Sequence, residues 1–323
     1  QEGMSSPTST IHKSSRMKYY TLDQLSTLNK NSRKLARFAV IGNPVEHSLS
    51  PQLHQPALDD LGEDARYIRV EVKADQVGNA FQELRNAGIH GINVTVPHKL
   101  EALEACDLVD PAAQMMGAVN TVVFDKEGSC TGFNTDGPGF ARAIREEFSV
   151  DLGDLKVIII GAGGGAGRAI ATQCAIENCP QVILANRTLE KLHPMKEQLS
   201  KLIDREDLKG PRDRIEIIDL ADPSLEQAIG SSELIINTTS VGLKATDPSP
   251  FPSHWVEPHH LIYDTIYNPE RTRLLRDSRD QGARVANGLS LLIHQGALSL
   301  EYWLNRDVPL ELMREGVRNA LKE

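Results

Sequence analysis

Apolar and polar positions along this chain fall into two successive alternating series. Residues 37–41 (Arg37-Phe38-Ala39-Val40-Ile41) form an apolar run cut by Gly42-Asn43-Pro44, which predicts a strand feeding a loop. Beyond it the pattern predicts a strand over 67–72 and a helix over 77–86. A strand over 91–96, stopped by Pro97, and a helix over 103–108 follow. Two β-rich runs, 118–124 and 129–134, flank Asp125-Lys126-Glu127-Gly128 and read as a hairpin. The second series opens with Val157-Ile158-Ile159-Ile160. Its further strands are expected at 182–185, 215–218, 234–237, 261–264 and 284–286. Helices over 290–305 and 309–321 close the chain, with Pro309 suited to a first helical turn. A short helical piece is expected near 22–28. Residues 4–16 (MSSPTSTIHKSSR) are polar and expected to be disordered. Strand–helix alternation of this kind implies parallel sheets with right-handed crossovers. The boundary between the two series is placed near 136–140, and no internal repeat is seen.

The chain has 323 residues, comfortable for two hydrophobic cores. Lys and Arg number 35 against 44 Asp and Glu, a formal net charge of -9. That balance argues against a nucleic-acid partner, and it requires any anionic cofactor to be met by locally concentrated positive charge. Cys106, Cys130, Cys174 and Cys179 lack CxxC or His-rich spacing, so reduced thiols and no metal site are expected. No apolar run approaches the roughly 18 residues of a membrane span. No leader with an apolar centre is visible, and Gln1-Glu2-Gly3 ahead of Met4 reads as a vector-derived scar. The expected setting is the cytoplasm.

Three clusters carry candidate chemistry. The first is Gly161-Ala162-Gly163-Gly164-Gly165-Ala166-Gly167, between the strand at 157–160 and a helical pattern over 168–176. Glycines belong where a backbone turns tightly and approaches a pyrophosphate at a helix N-terminus. The bland alternative is a glycine-rich turn with no ligand. The next strand ends Ala185-Asn186-Arg187-Thr188, with Lys191 nearby and no carboxylate at its tip. A carboxylate there would bond a ribose 2′-hydroxyl; Arg187 can instead fork onto a 2′-phosphate, which favours NADP. The alternative is a solvated loop arginine. The second cluster is Ser48-Leu49-Ser50-Pro51, whose two hydroxyls in an extended loop face one way and can share a carboxylate. Ser50 also reads as a helix N-cap with Pro51 in the first turn. The third is Asn93-Val94-Thr95-Val96-Pro97-His98-Lys99, which puts a lysine past the carboxyl end of a strand, where ligands bind in open α/β sheets. Without context Lys99 is a surface lysine and His98 a loop histidine. The hairpin register brings Asn120 opposite about residue 133 and so near Asp136.

These strings together resemble the shikimate dehydrogenase family over roughly residues 37–320. The strings are HSLSP, NVTVPHK, GAVNT, NTD, GAGGG, NRT, NTTSVGL, YDTIYNP and HQGALSLEYW. The resemblance implies a two-domain α/β fold, an α/β substrate-binding domain plus a Rossmann-type NADP-binding domain. The expected division is a mostly disordered extension over 1–36, a substrate-binding and catalytic domain over 37–136 completed by helices over 288–323, and an NADP domain over 137–287. By motif position Ser48 and Ser50 would hold the substrate carboxylate, and Lys99 and Asp136 would form the catalytic pair. Asn93, Thr95, Asn120 and Gln295 would contact ring hydroxyls or the carboxylate, with Tyr267 near the carboxylate. Gly161, Ala162, Gly163, Gly164, Gly165, Asn186, Arg187, Thr188 and Lys191 would hold the cofactor, and Thr265 and Gly288 would lie near the nicotinamide.

The activity so implied is reversible NADPH-dependent reduction of 3-dehydroshikimate to shikimate, in aromatic amino-acid biosynthesis. Lys99 would protonate the forming alkoxide and Asp136 would orient it. A small-molecule substrate is the expected partner, and a homodimer is compatible with the chain. The chain departs from the family pattern at His54-Gln55, Leu243, Thr265 and Leu291, sites that read as lining. Tyr20-Thr21-Leu22 resembles the linker of fusions behind a dehydroquinase. Two rivals stay open: a quinate/shikimate dehydrogenase with relaxed cofactor use, and a catalytically silent NADP-binding regulator, which should lack the Lys/Asp pair.

Overall fold

The computed structural model describes residues 18–204 and 213–323. The stretch 4–16, expected to be disordered, lies outside the described residues. The first series builds a seven-stranded sheet from β1 (Tyr20–Thr21), β2 (Leu35–Gly42), β3 (Ala65–Glu71), β4 (Gly91–Val94), β5 (Leu108–Val109), β6 (Thr121–Phe124) and β7 (Cys130–Phe133). Their order is β1-β3-β2-β4-β6-β7-β5. Helices α1 (Ser50–Asp60), α2 (Val77–Asn86), α3 (Lys99–Ala105) and α4 (Pro111–Met116) connect them. The sheet is mixed: β6 runs antiparallel to both β4 and β7, because a hairpin is inserted where a crossover would otherwise keep the strands parallel.

Helix α5 (Asp136–Phe148) leads into the second series. Strands β8 (Lys156–Ile160), β9 (Gln181–Asn186), β10 (Ile215–Asp219), β11 (Leu234–Asn237), β12 (Leu261–Asp264) and β13 (Arg284–Ala286) form a six-stranded sheet in the order β10-β9-β8-β11-β12-β13. Every pairing in it is parallel. This is the doubly wound order of dinucleotide-binding sheets, with the strand order reversing beside β8. Its helices are α6 (Gly165–Ile176), α7 (Leu192–Ile203), α8 (Leu225–Ser231) and α9 (Arg273–Asp280). Both faces are covered, which explains the unbroken apolar run of β8. Val157 and Ile159 enter one core cluster, Ile158 and Ile160 the other. Burying each such side chain is worth roughly 1.5–3 kcal/mol over leaving it exposed.

The chain then returns to the first sheet. Helices α10 (Leu289–Leu304) and α11 (Leu310–Lys322) place Ile293, Ala297, Leu300, Met313 and Val317 in one core with Phe38, Val40, Leu53 and Tyr67. Helix α5 instead gives Phe140, Ala143, Ile144 and Phe148 to the core under the second sheet.

Several expectations are corrected. Residues 18–36 are ordered rather than part of a disordered extension. Tyr20 and Thr21 pair with Val70 and Glu71, and Leu25 and Leu28 of the adjoining 3-10 turn are buried. The helix expected at 103–108 spans Lys99–Ala105 instead, since Leu108 pairs beside Thr131 as a strand. Strand β4 ends at Val94, because its parallel partner β2 stops at Gly42 and Val96 is 67% exposed. Leu49, not Ser50, is the N-cap of α1, and Pro309 sits just before α11 rather than inside it.

Candidate active site

The carboxyl ends of β2, β4 and the β6–β7 hairpin converge with the starts of α1, α3 and α5. In the loop after β2, the Ser48 and Ser50 hydroxyls lie 3.2 Å apart, and Ser48 Oγ accepts the Ser50 N–H at 3.3 Å. Arg69 fixes this loop by donating to the Ser48 carbonyl at 2.7 and 2.9 Å. The Ser48 oxygen thus takes a first-turn N–H of α1, and an anion would draw on the two hydroxyl protons in place of the Ser48–Ser50 contact.

Lys99 and Asp136 are the first residues of α3 and α5. Lys99 Nζ donates to Asp136 Oδ2 at 2.6 Å, and both side chains keep partial access to solvent. The other carboxylate oxygen accepts from Asn120 Nδ2 at 3.1 Å, and the Asp136 N–H is held by Asn134 Oδ1 at 2.9 Å. Asn120 is itself locked: its Oδ1 accepts the Thr135 N–H at 2.9 Å, and its own N–H reaches the Phe133 carbonyl. An aspartate clamped on one oxygen and ion-paired on the other presents a lysine ammonium in a fixed place. Such a group can give a proton to an alkoxide.

Asn93 stands on β4 behind this pair and makes its bonds within the protein. Its Oδ1 accepts from Tyr67 at 2.6 Å, and its Nδ2 donates to Ser299 at 2.9 Å. Ser299 Oγ also meets Thr121 Oγ1 at 2.7 Å. Direct contact between Asn93 and a substrate would exchange one of these bonds. Tyr67 stacks on His54 with ring centroids 4.5 Å apart, and burial pushes the Tyr67 hydroxyl up and the His54 imidazole down to about 4. Thr121, Asn134 and Ser299 lie in the GAVNT, NTD and HQGALSLEYW strings without a role of their own there, and Tyr67 carries no local mark. The one signal was spacing: Ser299 lies four residues after Gln295 and so on the same helix face. Thr95 lies one residue past β4, tied through its N–H to the Ile41 carbonyl. Gln295 donates to its own helix at the Leu292 carbonyl. His98, read as a loop residue, is fully buried and bonded to the Val72 carbonyl at 2.5 Å.

Across the cleft, the loop after β8 meets the start of α6. Gly161 adopts φ +82°, which only glycine takes without strain, and a side chain on Gly167 would strike the Ala162 backbone at 2.7 Å. Gly165 faces open space, so a phosphate can approach the bare helix start. Asn186 ends β9; Arg187 and Lys191 beyond it are exposed, with no ion pair among the described residues. The carboxylate nearest in register, Asp219 on β10, is turned to the Ala221 N–H at 2.7 Å. These residues fit a 2′-phosphorylated dinucleotide.

Residues 40–122 match the family described as the shikimate dehydrogenase substrate binding domain, and 288–318 the shikimate 5'-dehydrogenase C-terminal domain. The shikimate dehydrogenase (NADP(+)) of Methanopyrus kandleri is 38% identical over 286 residues, 88% of this chain and 95% of that protein. The chain belongs to the shikimate dehydrogenase family. A solved family member from Thermus thermophilus, in complex with NADP(H) and shikimate, superposes with a TM-score of 0.76 at 34% identity, covering 88% of this chain and 100% of that one. Another, from Listeria monocytogenes in complex with shikimate and NAD, gives 0.78 at 32% identity, covering 88% and 98%.

Within the family pattern the departures fall into two kinds. Gln55 is held within the protein: its Oε1 accepts the Tyr67 N–H and its Nε2 donates to the Ala65 carbonyl and Asp59, clamping α1 to β3. His54 is buried with its two ring nitrogens 2.8 and 3.2 Å from the Ser50 and Gly296 carbonyl oxygens, and the neutral ring donates to one of them. Thr265 donates to the Asn237 carbonyl at 2.9 Å, and Gly288 packs against the Thr265 backbone too closely for any side chain. Leu243, 55% exposed, remains free to line a bound ligand, whereas Leu291 packs against the core under the second sheet. Tyr267 lies just past β12, and burial pushes its hydroxyl up.

Proposed function

We propose that this protein catalyses the reversible NADPH-dependent reduction of 3-dehydroshikimate to shikimate, with Lys99 and Asp136 as its catalytic pair. The observation that carries this reading is the 2.6 Å Lys99–Asp136 contact, held by Asn120 at the mouth of the cleft. Bound NADPH supplies the hydride. Ser48 and Ser50 take the substrate carboxylate, with Tyr267 and Gln295 beside it. Lys99 Nζ gives its proton to the oxygen that gains charge, and the ammonium neutralises that charge as it develops. Asp136 keeps Lys99 in place and accepts from a ring hydroxyl. Asn120 acts on Asp136, and Asn93 and Thr95 frame the ring. Gly161 to Gly165 take the pyrophosphate, Asn186, Arg187, Thr188 and Lys191 the adenosine phosphate, and Thr265 and Gly288 the nicotinamide side.

The reading assigns 37–136 and 288–323 to the substrate body and 137–287 to the cofactor body. The core shared by Phe38, Ile293 and Met313 supports this division. Residues 18–36 join the first body. A cytoplasmic homodimer that consumes and releases small molecules completes the reading; among the described residues no helix is long and apolar enough to cross a membrane.

The test is oxidation of shikimate by NADP+, followed at the NADPH absorbance band. Lys99→Ala should lower kcat about 10²–10⁴-fold, with a smaller change in KM. Near-normal kcat in folded Lys99→Ala would remove the assignment. Quinate is expected to turn over at least about 100-fold less efficiently, because its tetrahedral C1 displaces the carboxylate from two hydroxyls 3.2 Å apart. Turnover within about tenfold of shikimate would favour a relaxed-specificity enzyme.

A further inference from the structure

A cavity of about 1180 Å³ lies between α9 of the second sheet's body and the face of α11; Tyr267 and Leu289 reach its wall, whereas Lys99 and Asp136 do not. Its walls carry six cationic side chains, Arg271, Arg276, Arg279, Arg314, Arg318 and Lys322, against three carboxylates, Glu147, Glu270 and Asp280. The sequence dictates this. Arg314, Arg318 and Lys322 recur every four residues and share one face of α11, while Arg276 and Arg279 are three apart on α9. The neighbouring Arg273 is tied to Asp277 at 3.4 Å. Among the described residues only Arg314 of the six is paired, with Glu146 and Glu311. Arg271, Arg276, Arg279, Arg318 and Lys322 have no ion pair or side-chain hydrogen bond among the described residues. Burial pushes the Glu147 carboxyl up, which weakens it as a counter-charge.

Like charges at helical neighbour spacing cost helix stability, and two basic stripes facing each other repel across the gap. Packing does not call for them: α9 is anchored by Leu274 and Leu275, and α11 by Met313 and Val317. In a chain of net charge -9 this concentration of unpaired cations has the character of a binding surface. Guanidinium groups match phosphate oxygens two at a time. Ordinary small-ligand pockets run to roughly 300–1,000 Å³, so the cavity has room for a small molecule, and its spread of cations suits one with several anionic groups.

We propose that this cleft is a second ligand site, for a small polyphosphorylated anion that bridges α9 and α11 and so ties the two bodies together away from the reacting centre. The proposal does not depend on which alcohol the enzyme oxidises.

Inorganic tripolyphosphate is the probe, titrated calorimetrically at low ionic strength into enzyme saturated with NADP+, which keeps the glycine loop occupied. One saturable site is expected. Arg276→Ser combined with Arg318→Ser, both exposed positions, should weaken it about tenfold or more. Arg33→Ser combined with Lys126→Ser removes the same charge outside the cavity and should leave binding within about twofold. Equal weakening in both double variants would reduce the effect to bulk charge and overturn the site. So would the lack of saturable binding, or displacement of tripolyphosphate by saturating shikimate.

Discussion

At the residue scale, the site depends on side chains held by partners distant in sequence. Lys99 is placed by Asp136, and Asp136 by Asn120 and Asn134. Arg187 is the opposite case: exposed and unpaired, it is free to meet a ligand. Losing charge-assisted bonds to a phosphate costs roughly 1.5–3 kcal/mol, so Arg187→Ala should weaken NADP+ about 10- to 150-fold. NAD+ binding should barely change, and a fluorescence titration with both cofactors checks it. Equal loss for both would move the 2′-phosphate elsewhere. His54 gives a stability prediction. Burial holds its imidazole at about 4, below its ordinary 6.5, so the folded protein keeps it neutral where the unfolded chain takes up a proton. The resulting stability is fully present above pH 6.5 and is lost as pH falls towards 4, by about 3 kcal/mol. Urea unfolding at about pH 7 and about pH 4.5 should show a smaller drop for His54→Gln than for wild type. Identical drops would show that His54 is not the group responsible.

At the element scale, the two helices that join the bodies meet at a glycine. A side chain on Gly139 of α5 would come within 2.9 Å of the Gln295 N and 3.0 Å of its Cα on α10. Both neighbours are backbone and cannot turn aside. Gly139→Ala should therefore push the helices apart and destabilise the protein by about 1–3 kcal/mol. Because α5 begins at Asp136 and α10 carries Gln295, KM for shikimate should rise in the same variant. Unchanged stability with unchanged KM would show that the α5–α10 spacing is slack. Farther along the pair, Glu146 of α5 contacts His294 of α10 and Arg314 of α11, so one carboxylate joins the three helices.

At the scale of the whole molecule, the chain leaves the first sheet through α5 and returns to it through α10, so the proposed bodies are joined twice. Most of the proposed substrate groups lie on one body and most of the proposed cofactor groups on the other, with Tyr267 and Gly288 crossing that division. A cleft between two bodies joined by short segments closes when a ligand contacts both walls. Small-angle scattering should find a more compact particle with NADP+ and shikimate than without ligands. An unchanged radius of gyration would argue for a cleft already closed. Tripolyphosphate alone, bridging α9 and α11, gives the same measurement a second use.

The sequence by itself determined the second sheet nearly strand by strand. Runs such as Val157-Ile158-Ile159-Ile160 are covered on both faces, and period, length and glycine punctuation suffice to place them. It also put Lys99 past the carboxyl end of a strand and, through the hairpin register, Asp136 near Asn120; that each opens a helix came from the structure. It failed where partners are remote. Nothing local marks Tyr20-Thr21 as an edge strand; only pairing with Val70 and Glu71 makes it one. The extent of β4 was set by where β2 stops, and the start of α3 by His98 tucking against Val72. The supports of Asn93 come from Tyr67 and Ser299, at separations of 26 and 206 residues, and no periodicity spans such distances. The basic stripes on α9 and α11 can both be read at helical spacing, but that they face each other cannot. Two helix faces become one cavity only when the chain has crossed back between its two bodies.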